Sequence, residues 1–162
     1  MALRDYTTED KEQCLAVFRS NCPLYFDESE YLLFAQWLDH QGNSEMGYQS
    51  PTYANTVQDC YYVVELPEIG IVGCGGFYIQ NEPHEARLAW GMIHSSFHKQ
   101  GYGTHLYKHR YHAIQLHWPN HQLTLGTSQH TFAFYEKMGF TVVDTIPSGY
   151  GVDLDRYDMK TN

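Results

Sequence analysis

The chain has 162 residues, 43% hydrophobic and 15% aromatic, and 10 Lys and Arg against 19 Asp and Glu give a formal net charge of −9. That length fits one domain, taken as 1–162, and the acid excess repels polyanions and leaves no basic stripe for nucleic acid; a cationic small molecule or basic peptide suits it, although acidity also serves solubility alone. No apolar run approaches a membrane span and MALRDYTTEDKEQ has no apolar signal core, so a soluble cytoplasmic protein with no membrane partner is expected.

Ala2 to Tyr6 reads as an opening strand. Thr7 or Thr8 then caps a helix with Cys14, Leu15, Val17 and Phe18 on one face, and Pro23 interrupts it. Asp27 followed by Glu30 has the spacing of a capping box, opening a second helix that buries Tyr31, Phe34 and Leu38. The polar stretch from Gly42 to Gln58 reads as a long loop. Cys60 to Leu66, Ile69 to Ile79 and Ala86 to His94 are rich in β-branched and aromatic residues and are separated by Pro67-Glu68 and Asn81-Glu82-Pro83, which predicts an antiparallel meander. A helix from about Gly103 to His117 follows, closed by Trp118-Pro119-Asn120. Leu123 to Gly126 is a strand, Thr131 to Met138 a helix ended by Gly139, and Val142 to Ile146 with Val152 to Met159 a final hairpin. The order is βααβββαβαββ, a mixed α/β (α+β) fold with a mostly antiparallel central sheet flanked by helices.

Between the fourth strand and the third helix lies FHKQGYGTHL, in which Gly101 and Gly103 let the backbone approach an anion while the first helical N–H groups point outward unpaired. By itself a Gly-x-Gly turn serves equally as a tight connection. Cys14, Cys22, Cys60 and Cys74 form no CxxC pair, so reduced, mostly buried thiols are expected. His105, His109 and His112 share a helix face, but no carboxylate or Cys joins them at matching spacing; a solvated face is expected there, and no metal.

AWGMIHSSFHKQGYGTHL and SQHTFAFYEKMGF, at their places in this element order, resemble the GCN5-related N-acetyltransferase (GNAT) superfamily over essentially the whole chain. The resemblance implies the acyl-CoA N-acyltransferase fold and acetyl-CoA as cosubstrate. Where the family most often has Arg or Gln this chain has His98, and where many members have Asn it has Ser128. The coenzyme pyrophosphate would be gripped mainly by backbone N–H groups of Gln100, Gly101, Tyr102, Gly103 and Thr104, with His98 and Lys99 beside them. Met92, Ile93 and His94 match the strand that pairs with the pantetheine arm and offers an N–H to the thioester oxygen.

Tyr135 matches the family residue that protonates the departing thiolate. A phenol pKa of ~10 against a thiol pKa of ~8.5 makes complete transfer uphill by ~2 kcal/mol in water, so hydrogen bonding to the thiolate is an equal part of its expected role. Phe132, Phe134 and Phe140 read as core. Glu85 and Glu65 are the candidates for taking the acceptor's proton, directly or through water. The resemblance places the acceptor between Tyr25, Phe26 and Asp27 on one side and Tyr150 on the other, Asp27 reading also as a helix cap. With no Cys placed as a nucleophile, the expected reaction is direct attack on acetyl-CoA by a primary amine of a small molecule or peptide. The alternative is a non-catalytic acyl-CoA-binding or sensing module. A homodimer is common among proteins of this kind.

Overall fold

The computed structural model describes residues 1–42 and 55–161. In chain order it contains β1 (Ala2–Asp5), α1 (Lys11–Ser20), α2 (Tyr31–Gly42), β2 (Thr56–Leu66), β3 (Gly70–Asn81), β4 (His84–Ile93), α3 (Tyr102–His117), β5 (Gln122–Thr127), α4 (Phe132–Lys137), β6 (Phe140–Gly151) and β7 (Leu154–Thr161). This is the order read from the sequence. The stretch read as a long loop falls mostly on residues 43–54, outside the described residues. Its last part is already strand, since Thr56 and Gln58 pair with Gln80 and Ile79 of the long β3.

Local chemistry sets the helix starts. Thr7 precedes a 3-10 turn at Thr8–Asp10 whose Asp10 carboxylate accepts the Thr7 N–H at 2.8 Å. Arg4 bonds both oxygens of that carboxylate at 2.8 and 2.9 Å and holds it below the usual carboxylate range. Asp27 and Glu30 form the expected capping box, with the Glu30 carboxylate accepting the Asp27 N–H at 3.1 Å. No helix among the described residues is long and apolar enough to cross a membrane.

The seven strands form one sheet in the order β1-β2-β3-β4-β5-β7-β6. Every pairing is antiparallel except β4 with β5. Strand alternation then sorts side chains into two layers. On the front, Tyr61, Val63, Cys74 and Tyr78 pack against Leu15 and Phe18 of α1 and Phe34, Trp37 and Leu38 of α2. On the back, Val64, Phe77, Ala86, Leu88, Leu123 and Leu125 pack against Leu106, Tyr107 and Ile114 of α3.

Two irregularities in β4 open the sheet at its centre. Cys74 of β3 faces Met92 while Gly76 faces Ala89, so Trp90 and Gly91 together oppose Gly75. That is a β-bulge, and Trp90 takes a positive φ of 51° in it. The conformation is held from three sides, by the Tyr61 hydroxyl donating to the Trp90 carbonyl at 2.8 Å and by Phe26 and Phe34 against the Trp90 ring at 6.2 and 5.1 Å. The second irregularity is that β4 pairs with β5 only from Glu85–Gln122 to Arg87–Thr124. Past that point the strands part.

Behind the bulge lies Arg110 of α3, only 2% exposed. Its guanidinium donates to the carbonyls of Gly76 at 3.3 Å and Leu106 at 3.4 Å, and among the described residues no carboxylate pairs with it. A Cβ on Gly91 would stand 2.9 Å from Arg110 Nη1, and one on Gly75 3.4 Å from its Cζ. Two residues without side chains make the room that this cation fills.

Phe34 joins the front helices to the bulge through Phe18, Tyr61 and Trp90. Phe34→Ala is expected to lower the unfolding free energy by about 3–5 kcal/mol, read from urea denaturation.

Candidate active site

Where β4 leaves β5, the end of β4 is fastened elsewhere. The Ile93 carbonyl accepts from the Asn21 side chain at 3.0 Å and from His98 Nε2 at 2.8 Å. A carbonyl accepts only, so this His98 nitrogen carries hydrogen. Asn21, 3% exposed, caps the C-terminus of α1. His94 donates its N–H to the Val72 carbonyl at 2.7 Å, and its ring Nδ1 accepts the Ser96 N–H at 3.1 Å. Lys99 and Gly101 then turn the chain through φ of 62° and 90° into α3.

The first helical bond of α3 runs from His105 N–H to the Gly101 carbonyl at 3.1 Å, so the preceding N–H groups have no carbonyl one turn back. They point out of the helix at its positive end. A Cβ on Gly101 would meet nothing within 4 Å, and one on Gly103 would come no nearer than 3.6 Å, to Phe134, with Ile93 at 3.9 Å. An anion can therefore reach the backbone donors of Gln100, Gly101, Tyr102, Gly103 and Thr104. The residues present fit a pyrophosphate at this turn, and the unpaired edge of β4 around Met92 and Ile93 fits an extended amide-bearing arm.

Phe134, read from the sequence as core, is the α4 ring at the mouth of this opening. Phe132 instead packs on Tyr157 of β7 with ring centres 4.8 Å apart, and Phe140 is 3% exposed in the back layer. Tyr135 stands half-buried beside Phe134 and Phe140, ring centres 5.0 and 5.8 Å away. Ser128, also 3% exposed, shapes the entry to α4: its hydroxyl accepts the His130 N–H at 3.2 Å and its carbonyl the N–H groups of Thr131 and Phe132.

The residues expected on the acceptor side lie along the front of the opening. Tyr25 meets the His98 ring edge-on at 5.1 Å and the His130 ring at 6.0 Å, tying the α1–α2 connection to the turns that precede α3 and α4. Phe26 stacks on Trp90 at the bulge. Asp27 abuts the β6–β7 hairpin, where a Cβ on Gly151 would lie 2.6 Å from Asp27 Oδ1. Asp27 also accepts from the Ser29 N–H at 2.9 Å and the Ser29 hydroxyl, which hold its pKa down. Tyr150 reaches back over β5, its hydroxyl 2.5 Å from where a Gly126 Cβ would be, and burial pushes its pKa up to about 12.

Sequence reasoning saw Glu30 only as half of a capping box. Its carboxyl is half-buried, and desolvation pushes its pKa up to about 7 even though the Asp27 N–H pulls the other way. It lies near enough to Tyr150 for its charge to raise that phenol.

The two carboxylates expected to act as base lie elsewhere. Glu65 binds Arg4 at 2.7 Å on the side of the sheet where β1 attaches. Glu85 sits where β4 and β5 are still paired, seven residues before Met92 and so roughly 20 Å along the strand at ~3.3 Å per residue. Of the three α3 histidines, His109 packs edge-on against Tyr62 at 4.6 Å, and His105 and His112 are exposed. Among the described residues no three metal-ligating side chains gather. All four cysteines are free, and Cys14 and Cys74 are buried together, the Cys14 thiol raised by its hydrogen bond with Cys74 and by desolvation.

Residues 58–142 match the family model described as acetyltransferase (GNAT) domain. No curated protein sequence matches the chain. Among solved structures, an acetyltransferase assigned to the GNAT family from Desulfovibrio desulfuricans superposes with a TM-score of 0.75 at 17% identity, over 99% of this chain and 98% of that one. Ribosomal-protein-alanine N-acetyltransferase from Brucella melitensis gives 0.73 at 18% identity, over 99% of both chains. An aminoglycoside 6′-N-acetyltransferase in complex with coenzyme A gives 0.71 at 17%, over 99% of this chain and 96% of that one. At such identities the structures show a shared fold.

Glu30 gives the site a pH signature. Its folded pKa of about 7 lies above the ordinary 4.5, so the folded chain favours the protonated carboxyl. The stability this contributes is complete below about pH 4.5 and lost as pH rises through about 7. Glu30→Gln keeps an acceptor for the Asp27 N–H and is expected to flatten that decline in melting temperature between pH 4.5 and 7.

Proposed function

Because the chain belongs to the GNAT acetyltransferase family, we propose that it transfers acetyl from acetyl-CoA to a primary amine of a small molecule or peptide, the amine attacking directly while both substrates are bound. One observation carries this reading. The parting of β4 from β5 opens directly onto the glycine turn and the free N–H groups of α3. A strand edge, an anion cradle and an aromatic cover thus meet at one place.

The cosubstrate supplies the activated acyl thioester. The chain supplies placement and charge. Gln100 to Thr104 hold the pyrophosphate through backbone N–H groups. His98, its ring engaged with Ile93, braces the turn and leaves Nδ1 as its one nitrogen free for a polar contact. Met92 and Ile93 align the pantetheine arm and turn an N–H toward the thioester oxygen as negative charge gathers there. Tyr25, Phe26 and Trp90 cover the front and exclude water.

On the acceptor side, Glu30 takes the proton that the ammonium must lose, since its proton affinity lies near neutrality. Tyr135 lies on the far side of the opening and gives a proton or a hydrogen bond to the thiolate as the C–N bond forms and the C–S bond breaks. Glu65 and Glu85 have no part in this scheme, one being bound to Arg4 and the other lying toward the closed end of β4.

Calorimetric titration with acetyl-CoA tests the donor site, and absence of binding at sub-millimolar concentration rejects the reading. A branched side chain at Gly101 is incompatible with its φ of 90°, so Gly101→Val should weaken binding at least about tenfold. Thiol release across amines then tests transfer. Tyr135→Phe is expected to lower kcat by about 10–100-fold with acetyl-CoA affinity unchanged. Binding without release on any amine would instead favour an acyl-CoA sensor.

A further inference from the structure

The front face of β4, β5 and β7, beside the parting of the strands, carries more hydrogen-bond donors than acceptors. Arg87 of β4 is in register with Thr124 of β5, and Thr124 with Lys160 of β7. Gly126 of β5 is likewise in register with Asp158 of β7. Arg156, two residues before Asp158, takes both its carboxylate oxygens, Nε to Oδ1 at 2.9 Å and Nη2 to Oδ2 at 3.0 Å. That leaves Arg87 with only a loose approach to Asp158 Oδ1 at 3.6 Å, beyond hydrogen-bond range.

The Arg87 side chain is 25% exposed, and among the described residues no other carboxylate pairs with it. Glu85 shares its face one pleat away, and Asp144 of β6 lies across from Asp158, nearer Arg156 than Arg87. The Thr124 hydroxyl beside it is fully buried with no hydrogen-bond partner. The Tyr150 hydroxyl and Arg87 Nη2 converge on the same spot, 2.5 and 3.0 Å from where a Gly126 Cβ would be. A mostly desolvated guanidinium and two hydroxyls lie beside one carboxylate that a second arginine already holds on both oxygens. Such a place lacks an acceptor with negative charge.

We propose that Arg87, with Tyr150, binds an anionic group on the acceptor, so that the substrate class is an amine carrying a carboxylate or phosphate rather than a polyamine. The inference rests on the acetyltransferase reading and deepens it. The acceptor pocket is then two-signed: Asp27 and Glu30 at the start of α2 face the ammonium, and Arg87 on the sheet faces the anion, with Tyr150 between them. A polycation would place charge against a guanidinium that has only part of one carboxylate for a partner. Arg87 is thus a specificity-determining residue, and its position on β4 fixes the anion toward β5.

The test uses matched acceptors in the thiol-release assay: L-phenylalanine against phenethylamine, β-alanine against propylamine, and O-phosphoethanolamine against ethanolamine. The anionic member of at least one pair is expected to show kcat/KM at least about tenfold higher, as loss of a charge-assisted bond costs. The carboxylate and phosphate arms show which anion is read. Arg87→Gln should erase the ratio through a rise in KM for the anionic member, without changing acetyl-CoA affinity. Arg87→Lys, which keeps charge and loses the planar fork, should recover part of it. Neutral amines preferred in every pair, or both members of a pair losing equally in Arg87→Gln, overturn the proposal.

A readout independent of turnover separates this outcome from failure of the acetyltransferase reading. N-acetyl-L-phenylalanine and its amide are titrated calorimetrically into the protein alone and into Arg87→Gln. Tighter binding of the acid, lost in the variant, supports the site even if no amine is acetylated. Equal binding of acid and amide, or no binding of the acid, rejects it even if transfer is observed.

Discussion

The structure depends on one carbonyl being held away from where a sheet would put it. β4 and β5 run side by side over three paired positions, then separate, and the Ile93 oxygen goes to Asn21 and His98. Asn21 closes α1 and His98 opens the glycine turn, so one acceptor fixes a front helix, a central strand and the approach to α3 relative to one another. Had β5 continued along β4, the N–H groups at the start of α3 would face a closed sheet with no strand edge beside them. The bulge at Trp90 and Gly91 works to the same end, by turning the strand just after it has left its neighbour.

Holding a strand open requires that something cover it, and the aromatic content of the chain is spent there. Phe18, Phe26, Phe34, Tyr61 and Trp90 form a run of ring contacts beneath the α1–α2 connection. Tyr25 carries the cover across to His98 and His130. Over this apolar floor the charged groups divide by sign. Carboxylates sit at the start of α2, where they also satisfy its first N–H groups, and on the sheet two guanidinium groups, of Arg87 and Arg156, meet the single carboxylate of Asp158. A net charge of −9 conceals this local pairing of two arginines with one carboxylate.

The element order was legible because periodicity and caps are local signals. Asp27 and Glu30 announced the start of α2, and Gly101 and Gly103 the turn into α3, from residues adjacent in sequence. What depends on partners far along the chain was not legible. A count of β-branched residues shows that β4 is a strand, but not that Trp90 and Gly91 share one partner. Arg4 lies 61 residues from the Glu65 it binds. Glu30 looked like a cap and nothing more, because its environment is set partly by a hairpin more than a hundred residues later. Arg87 is one arginine in a strand as far as local pattern goes, and its distinction depends on Arg156 occupying both oxygens of Asp158. Departure from the family pattern at His98 was visible, yet the ring's tie to Ile93 required knowing where β4 ends.

Arg110 gave no signal at all, since an arginine in a polar helix reads as surface. Its burial links three positions that no sequence window contains together. The space it fills exists because Gly75 and Gly91 lack side chains, and the charge is tolerated because carbonyls of β3 and α3 turn toward it. None of the three can change alone without either a void or a collision. Within the lineage of this chain Gly91 and Arg110 should therefore drift together: a relative with an aliphatic residue in place of Arg110 has room for alanine at Gly91, and one that keeps the arginine does not, while Gly75 stays confined by the Gly91 backbone and Leu106 as well.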